Sequence, residues 1–159
     1  MKRNIAVLFG FLVFALLFAF AGYSAEMAGK CSLCGMNLAG NENTAYEIVY
    51  MDGTQETYCC PHCGLYEQAT KKDSVKSARA RDFISGEWMD PAMMIFVFNS
   101  TAVPACAPSW IAFGDKAEAE KFQKGFGGTA YSFEEALNER AKMPKGMDME
   151  GMKTKGMKM

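Results

Sequence analysis

The alternation of apolar and polar positions along the 159-residue chain predicts where its strands begin. An unbroken apolar run fills residues 5–20, and after it apolar and polar residues mix as they do in a folded domain. Residues 44–50, TAYEIVY, are rich in aromatic and β-branched side chains, which favours a strand. Asp52-Gly53 is a hairpin signal, and QETYC at 55–59 is predicted to return as the second strand.

A helix and a further strand are predicted after this hairpin. Pro61 suits the first turn of a helix, where its missing N–H costs no hydrogen bond, so the helix is placed at residues 61–71. SVKSARARDF, residues 74–83, is predicted to be the next strand. We take residues 31–90 as the first unit of the fold.

The second half of the chain repeats this order of elements. MMIFVFN at 93–99 is a continuous apolar run, and it predicts a strand that carries Met93 and Met94 in the core. TAVPACAPS, residues 101–109, predicts a loop, and WIAFG at 110–114 predicts a short strand.

Two capping boxes mark the starts of the last two helices. They are Asp115 with Glu118 and Ser132 with Glu135. The first helix is predicted to end at Gly125, and the second is predicted to end before Pro144. The predicted fold class is therefore α+β, with two small pseudo-repeated ββα-type units at residues 31–90 and 91–141.

The N-terminus has the organisation of a secretory signal peptide. Lys2 and Arg3 precede the apolar run, and small residues follow it through Ala25. We therefore predict a signal peptide at residues 1–25 and a periplasmic or otherwise extracytoplasmic protein. The run is short for a membrane span, so contact with a membrane is expected only if this segment stays uncleaved.

The charge of the exported part excludes one class of partner. Removal of Lys2 and Arg3 with the signal leaves 15 Lys and Arg residues against 18 Asp and Glu residues. A chain with this small negative charge lacks the strongly basic character of proteins that bind nucleic acids. No nucleic-acid partner is expected.

Cysteine spacing gives the strongest chemical signal in the sequence. Cys31 and Cys34 form one Cys-x-x-Cys pair, and Cys60 and Cys63 form a second pair after 25 intervening residues. Two such pairs can hold one ion from two sides. The second pair lies at a predicted helix start, where the helix dipole favours the thiolates that a metal requires. A knuckle, a hairpin and a helix in this order are typical of treble-clef metal sites.

Several neighbouring residues favour Cu(I) over zinc, although four cysteines alone would suit a structural zinc. Met36 and Cys59 add soft sulfur ligands, and His62 adds an imidazole. Cys59 adjoins Cys60, and on a continuing strand these two side chains would face opposite sides. Residues 142–159 are predicted to be a disordered methionine-rich tail that binds copper through thioethers. The candidate ligands of the tail are Met147, Met149 and Met152.

Three other interpretations of the cysteines stay open. Each Cys-x-x-Cys pair could be a disulfide in an oxidising compartment. Four thiolates could bind zinc in a structural module that docks a protein partner. Cys60-Pro-His-Cys63 is also the active-site sequence of oxidising thiol–disulfide exchange proteins with a thioredoxin fold. Such a unit requires a parallel βαβ crossover before the motif, whereas a hairpin is predicted here.

Longer stretches of the sequence resemble the NosL-type accessory proteins of nitrous oxide reductase. The resemblance rests on CGMNL at 34–38, YCCPHC at 58–63 and the stretch 88–137, above all IAFGDKAEAEKF at 111–122. It implies an exported, non-enzymatic Cu(I)-binding protein of two packed units that delivers copper to a periplasmic cuproenzyme. The cysteine-rich CCPHC segment and the methionine tail are departures from the family pattern.

The resemblance also implies particular ligands and partners. In the family the cysteine and methionine of Cys-Gly-Met bind copper, and they correspond to Cys34 and Met36. A methionine in the loop before the Ala-Phe strand also serves in the family, and Cys106 stands at that place here. The implied partner is a copper-receiving cuproenzyme, for example nitrous oxide reductase, or its assembly machinery. The implied metal is Cu(I), with zinc as the alternative ion.

Overall fold

The computed structural model describes residues 27–144 of the chain. The predicted signal peptide and the candidate tail ligands Met147, Met149 and Met152 lie outside the described residues. Within this range the protein is mixed α and β, with two antiparallel sheets and three α-helices. No helix between residues 27 and 144 is long and apolar enough to cross a membrane.

The first sheet is built from the cysteine-rich half of the chain. Its strands are β1 (Tyr46–Tyr50), β2 (Gln55–Tyr58), β3 (Val75–Arg81) and β4 (Trp88–Met89), and helix α1 (Pro61–Thr70) connects β2 to β3. The strands are antiparallel and lie in the order β2-β1-β3-β4. The turn between β1 and β2 is the predicted hairpin, and its Gly53 adopts a φ of 87°.

The second sheet has three strands. They are β5 (Ile95–Phe98), β6 (Trp110–Phe113) and β7 (Thr129–Ser132), with helix α2 (Lys116–Phe126) before β7 and helix α3 (Phe133–Ala141) after it. The strand order is β6-β5-β7, and both pairings are antiparallel.

The predicted capping residues start both of these helices. The side chain of Asp115 accepts hydrogen bonds from the backbone N–H groups of Ala117 at 2.7 Å and Glu118 at 3.1 Å. The backbone N–H of Ser132 donates to the carboxylate of Glu135 at 2.8 Å, and the Ser132 hydroxyl donates to it at 2.7 Å. These bonds explain why α2 and α3 begin where the sequence predicts.

The two halves share one topology. In each half the first strand is central, its hairpin partner lies on one side, and a strand reached through a helix lies on the other side. The predicted ββα repeat is therefore a ββαβ repeat. Sequence reasoning missed β7 because this strand is short and mostly exposed, so its apolar positions do not alternate.

The apolar run at 93–99 is only partly a strand. Met93 is 75% exposed in a short 3-10 turn, so its predicted place in the core is wrong, whereas Met94 is buried as predicted. Strand β5, which follows, is the central strand of its sheet. Phe96 on one face packs into the main core, and Val97 on the other face packs into a smaller apolar cluster. Burial on both faces explains why this strand has no polar alternation.

Helix α2 extends one residue beyond its predicted end. Gly125 lies within the helix, and the last helical residue is Phe126. Gly127 ends the helix because its φ of 69° lies in the left-handed region that favours glycine. The N–H of Gly127 donates to the carbonyl of Gln123 at 2.8 Å.

Helix α1 joins the two halves into one core. It packs against β1 of the first sheet, β6 of the second sheet and α3. Buried side chains from both halves belong to one cluster, among them Tyr46, Ile48, Leu65, Phe96 and Trp110. Side chains in the first turn of α1 therefore lie where both halves of the chain can reach them.

Gly64 allows α1 to approach β1, and its substitution tests this packing. A Cβ at this position would lie 2.3 Å from ring atoms of Tyr46, which is far inside van der Waals contact. Gly64→Ala is expected to lower the free energy of unfolding by about 1–3 kcal/mol because the buried ring has no free space to enter.

Gly125→Ala in α2 is the control for this prediction. A Cβ at Gly125 would have nothing within 4 Å, so this change should raise stability by up to about 1 kcal/mol through helix propensity alone. Chemical denaturation measures both variants. Equal stabilities would contradict the close contact between α1 and β1.

Candidate metal centre

Six sulfurs meet at the first turn of α1. All six cysteines of the chain lie within the described residues, and none of them forms a disulfide. The Sγ of Cys59 lies 3.5 Å from that of Cys34, 3.6 Å from Cys106, 3.7 Å from Cys60 and 3.9 Å from Cys63. The two Cys-x-x-Cys pairs are therefore not isolated disulfides but parts of one centre.

A backbone knuckle presents the first cysteine pair. The N–H of Cys31 donates to the carbonyl of Met36 at 2.8 Å, and the N–H of Gly35 donates back to the carbonyl of Cys31 at 2.9 Å. Gly35 has a φ of 74°, which favours glycine and lets the chain reverse here. A third backbone hydrogen bond, from Ser32 to β2, ties the knuckle to the sheet and brings Cys34 to the centre.

The end of β2 lets two adjacent cysteines face the same centre. The strand ends at Tyr58, so its alternation of side chains does not continue through Cys59 and Cys60. Cys60 is the N-cap residue of α1, with φ −165° and ψ 168°. The hydroxyl of Thr44 donates to the carbonyl of Cys59 at 2.7 Å and fixes the backbone at this junction. Cys63 reaches the centre from the first turn of the helix.

One sulfur comes from the second half of the chain. Cys106 lies in the loop between β5 and β6, and its Sγ is 3.6 Å from that of Cys59 and 3.9 Å from that of Cys63. The hydroxyls of Ser100 and Ser109 lie 3.0 Å apart and close the base of this loop. The centre therefore sits at the junction of the two halves.

The sulfurs form two overlapping groups of four. One group is Cys31, Cys34, Cys59 and Cys63, and the other is Cys59, Cys60, Cys63 and Cys106, with all sulfurs of a group within 4.8 Å of one another. Four sulfurs arranged tetrahedrally at about 2.3 Å from an ion lie about 3.8 Å apart. The sulfur contacts of 3.5–3.9 Å fit that requirement. Cys60 is grouped with Cys106, so the grouping differs from the one predicted from spacing.

Contacts between the thiols shift their acidities in opposite directions. Hydrogen bonds from neighbouring thiols lower the pKa of Cys31 and of Cys60. The pKa values of Cys59 and Cys63 are raised, chiefly by their contacts with Cys106. A metal ion that binds here therefore displaces protons from Cys59 and Cys63.

Solvent reaches the sulfurs from one side. Cys34 is exposed, whereas each of the other five cysteines is at most 3% exposed. Desolvation is the main cause that raises the pKa of the Cys34 thiol. Met36 follows in the same knuckle and is half-buried against the core. An incoming ion or partner ligand therefore meets Cys34 first.

The histidine predicted as a ligand has both ring nitrogens in hydrogen bonds. Nδ1 of His62 donates to the carbonyl of Pro108 at 3.0 Å, and Nε2 accepts from Arg140 at 3.1 Å. Burial and the neighbouring guanidinium lower the pKa of His62, so the ring is neutral. In this arrangement neither nitrogen offers a free lone pair to an ion, and His62 belongs to neither group of candidate ligands.

Arg140 is a residue of the site that sequence reasoning missed. It is 0% exposed, its Nε donates to the carbonyl of His62 at 2.8 Å, and its guanidinium lies 4.7 Å from the ring centroid of Tyr66. Burial lowers the pKa of Arg140, while the charges of Cys63 and Cys60 act in the opposite direction. A buried cation here offsets the negative charge of thiolates. The sequence carried no signal for it, because basic residues in the last turn of a helix are common.

The fold and the site together define an α+β protein with a metal-binding cysteine centre between two ββαβ halves. The sulfur ligands are of the type that soft ions prefer. The chain belongs to the NosL family, whose model matches residues 23–141. This match confirms the family resemblance found in the sequence.

Similarity to a curated protein and to a solved structure agrees with this family. The HTH-type transcriptional repressor CutR of Bacillus subtilis (strain 168) is 31% identical over 110 residues, which cover 69% of this chain and 57% of the repressor. The chain thus spans little more than half the length of that relative. The crystal structure of the copper chaperone NosL from Shewanella denitrificans matches with a TM-score of 0.62 at 20% identity, over 72% of this chain and 93% of that chain. That likeness shows a shared fold.

The exposure of the thiols predicts how they react in the reduced, metal-free protein. Iodoacetamide should modify Cys34 first, because the other five sulfurs are buried. Mass spectrometry after brief treatment of the native protein should show one adduct, which peptide mapping locates at Cys34. The denatured protein should take up six. Equal early labelling of Cys34 and Cys106 would contradict the closed arrangement.

Proposed function

We propose that the protein is an exported Cu(I)-binding protein that captures copper and delivers it to a cuproenzyme. Membership of the NosL family supports this role, and the similar structure from S. denitrificans is that of a copper chaperone. The transfer requires ligand exchange and no bond-making in a substrate, so the protein is not an enzyme in this proposal.

The observation that carries the proposal is a cluster of six sulfurs with one exposed member. Soft thiolate and thioether ligands suit Cu(I), although thiolates also suit zinc. Cys34 lies at the surface and 3.5 Å from the buried Cys59, so it connects solvent to the centre. A thiol or thioether of a partner can bind the ion there before the buried sulfurs release it.

We propose that the ion enters and leaves through Cys34 and Met36. Cys106 is a further ligand, which the second half of the chain brings into contact with Cys59. The sulfurs of Cys34 and Cys106 lie 3.5 and 3.6 Å from that of Cys59. The thioether of Met36 carries no proton, so it can join or leave the ion without proton transfer. The remaining ligands are Cys31, Cys59, Cys60 and Cys63. His62 orients the centre through its two hydrogen bonds in place of binding the ion.

Membership of the NosL family supports a copper-receiving partner, and the proposal gives the tail a part in the route of the copper. The tail methionines Met147, Met149 and Met152 capture copper or pass it on through exchangeable thioether bonds. The client is a copper-receiving cuproenzyme such as nitrous oxide reductase, or its assembly machinery. The signal-like composition of residues 1–25 supports export to the periplasm.

A structural zinc module is the second candidate function. The observation in its favour is that each sulfur group has four members, the number that a structural zinc takes. A closed zinc site, however, needs four cysteines, whereas six converge here and Cys34 is exposed. The surplus of sulfur and the open side favour an exchangeable soft ion.

The thiol–disulfide exchange interpretation of Cys60-Pro-His-Cys63 gains no support. The strands before the motif, β1 and β2, form an antiparallel hairpin instead of a parallel crossover. Both cysteines are also buried, and an exchange enzyme needs an attacking thiolate that a protein substrate can reach.

Anaerobic competition with a colorimetric Cu(I) chelator tests the copper role. The mature protein, purified under reducing conditions, should hold Cu(I) against the chelator. Cys34→Ser should weaken binding by more than about tenfold because it removes a ligand. Asn37→Ala, an exposed position beside the same knuckle, is the control and should bind as the wild type does. Tight zinc without competitive Cu(I) binding would replace the copper role with the zinc module.

A second comparison tests whether the cluster and the tail are separate sites. Met36→Ala should weaken Cu(I) binding at the cluster by about tenfold and leave binding by the tail unchanged. Removal of residues 145–159 should do the reverse. Met51→Ala, an exposed methionine in the β1–β2 turn, is the control for loss of a thioether.

The truncation point is chosen so that the folded part stays intact. Arg140 donates to the carbonyl oxygens of Met143 at 3.3 Å and Pro144 at 3.1 Å, and both residues are retained. Isothermal titration of each variant with Cu(I) separates the two classes of site. Identical losses from Met36→Ala and from the truncation would argue against two sites.

A further inference from the structure

We propose that the sulfur cluster binds two metal ions that share Cys59 and Cys63 as bridging ligands. The identity of the ions as Cu(I) rests on the proposed function, whereas their number and the bridging follow from the geometry of the sulfurs. The terminal ligands are Cys31 and Cys34 on the outer ion, which the thioether of Met36 can join during exchange, and Cys60 and Cys106 on the inner ion.

The shared sulfurs are placed to bridge. Cys59 and Cys63 are the two members common to both groups of four. Their sulfurs lie 3.9 Å apart, a separation that an ion on either side can span with metal–sulfur bonds of about 2.3 Å. Cys59 contacts Cys34 of the outer pair at 3.5 Å and Cys106 of the inner pair at 3.6 Å.

A single ion leaves part of the cluster unused. Four sulfurs complete the coordination of one ion, so two of the six would stay as idle thiols in the core. One ion in either group leaves the other group's terminal pair without a metal. The sulfurs of that pair still lie within 4.8 Å of those of Cys59 and Cys63. A second ion on the other side of the shared sulfurs uses all six.

Bridging also limits the charge that the core must carry. Two separate four-thiolate sites need eight thiolates, whereas two sites that share a pair need six. The remaining negative charge lies beside the buried guanidinium of Arg140, which donates to the carbonyl of His62 in the first turn of α1. It also lies at the N-terminal end of that helix, where the helix dipole favours negative charge. Each thiol that becomes a ligand gives its proton to solvent, and no electron is transferred.

The two ions differ in their access to solvent. The outer ion lies beside the exposed Cys34, whereas the inner ion is enclosed by sulfurs that are at most 3% exposed. The outer ion is therefore the one that exchanges with a partner. The inner ion stays in place and holds the Cys106 loop against α1.

Copper stoichiometry and X-ray absorption of the loaded protein test the cluster. The full mature chain is loaded anaerobically with Cu(I), dialysed against a chelator and weighed by native mass spectrometry. We expect two ions at the cluster and copper–copper scattering beside the copper–sulfur shell. Every variant keeps the methionine tail, so differences between variants report the cluster alone.

Two double variants separate bridging sulfurs from terminal ones. Cys60→Ser with Cys106→Ser removes the inner terminal pair and should reduce the bound copper by one ion, because the outer group stays complete. Cys59→Ser with Cys63→Ser also removes two buried sulfurs, but it should abolish tight binding of both ions. Each group of neighbouring ligands in the described part of the chain contains Cys59 and Cys63.

The outcomes distinguish this proposal from the proposed function. One ion in the wild type without copper–copper scattering overturns the cluster and leaves the copper role standing. No copper held against the chelator overturns the copper role itself. Loss of one ion in both double variants shows separate sites and overturns the bridging. Circular dichroism checks the fold of each variant, and if the bridging variant unfolds, the copper–copper scattering of the wild type decides.

Discussion

The contact between Gly64 of α1 and the ring of Tyr46 on β1 sets the position of the groups that bind metal. The helix contributes no side chain at this point, so the backbone of its first turn packs directly on the ring of Tyr46. Cys63 is therefore held within 3.9 Å of Cys59, and a helix displaced by one layer of side chains would lose that contact. The hydroxyl of Tyr46 also hydrogen-bonds Gln68 further along α1, which adds a second contact between this strand and the helix. Because α1 packs on β6 and α3 as well, the same contact decides how the two halves of the protein meet.

The two ββαβ halves have one topology but contribute unequally to the centre. The first half supplies five of the six sulfurs, and the second half supplies Cys106 and the buried Arg140. The equivalent connections explain the difference. Between β1 and β2 the chain turns within residues 51–54, whereas between β5 and β6 it forms a loop over residues 99–109 that is long enough to reach α1. The two halves therefore share a sheet topology and differ in the connection between their first two strands. Functional residues commonly lie in such loops.

Helix starts and turns that depend on only a few neighbouring residues were predictable from the sequence. Pro61, the cap at Ser132 and the hairpin turn each act within a few residues, and the structure has helices and a turn at these places. The spacing of the cysteines likewise indicated a metal site. Spacing did not show that β2 ends at Tyr58, and it therefore missed that Cys59 and Cys60 face the same group of sulfurs. Arg140 was not predictable because its burial depends on a contact with a residue 78 positions earlier. The expected core position of Met93 failed because a capped turn there leaves the side chain in solvent.

The hydrogen bonds and sulfur contacts that close the centre join distant parts of the chain. Cys59 and Cys106 are 47 positions apart, and Arg140 reaches back 78 positions to His62. Contacts of this sequence separation form late in folding, because closing a long loop costs chain entropy before packing compensates for it. The five cysteines of the first half are synthesised before Cys106, but the cluster of six stays incomplete until the second half has docked. A chain whose second half has not docked thus lacks the group of sulfurs that contains Cys106, and an ion held by that group would be a sign that the whole domain has reached its native state.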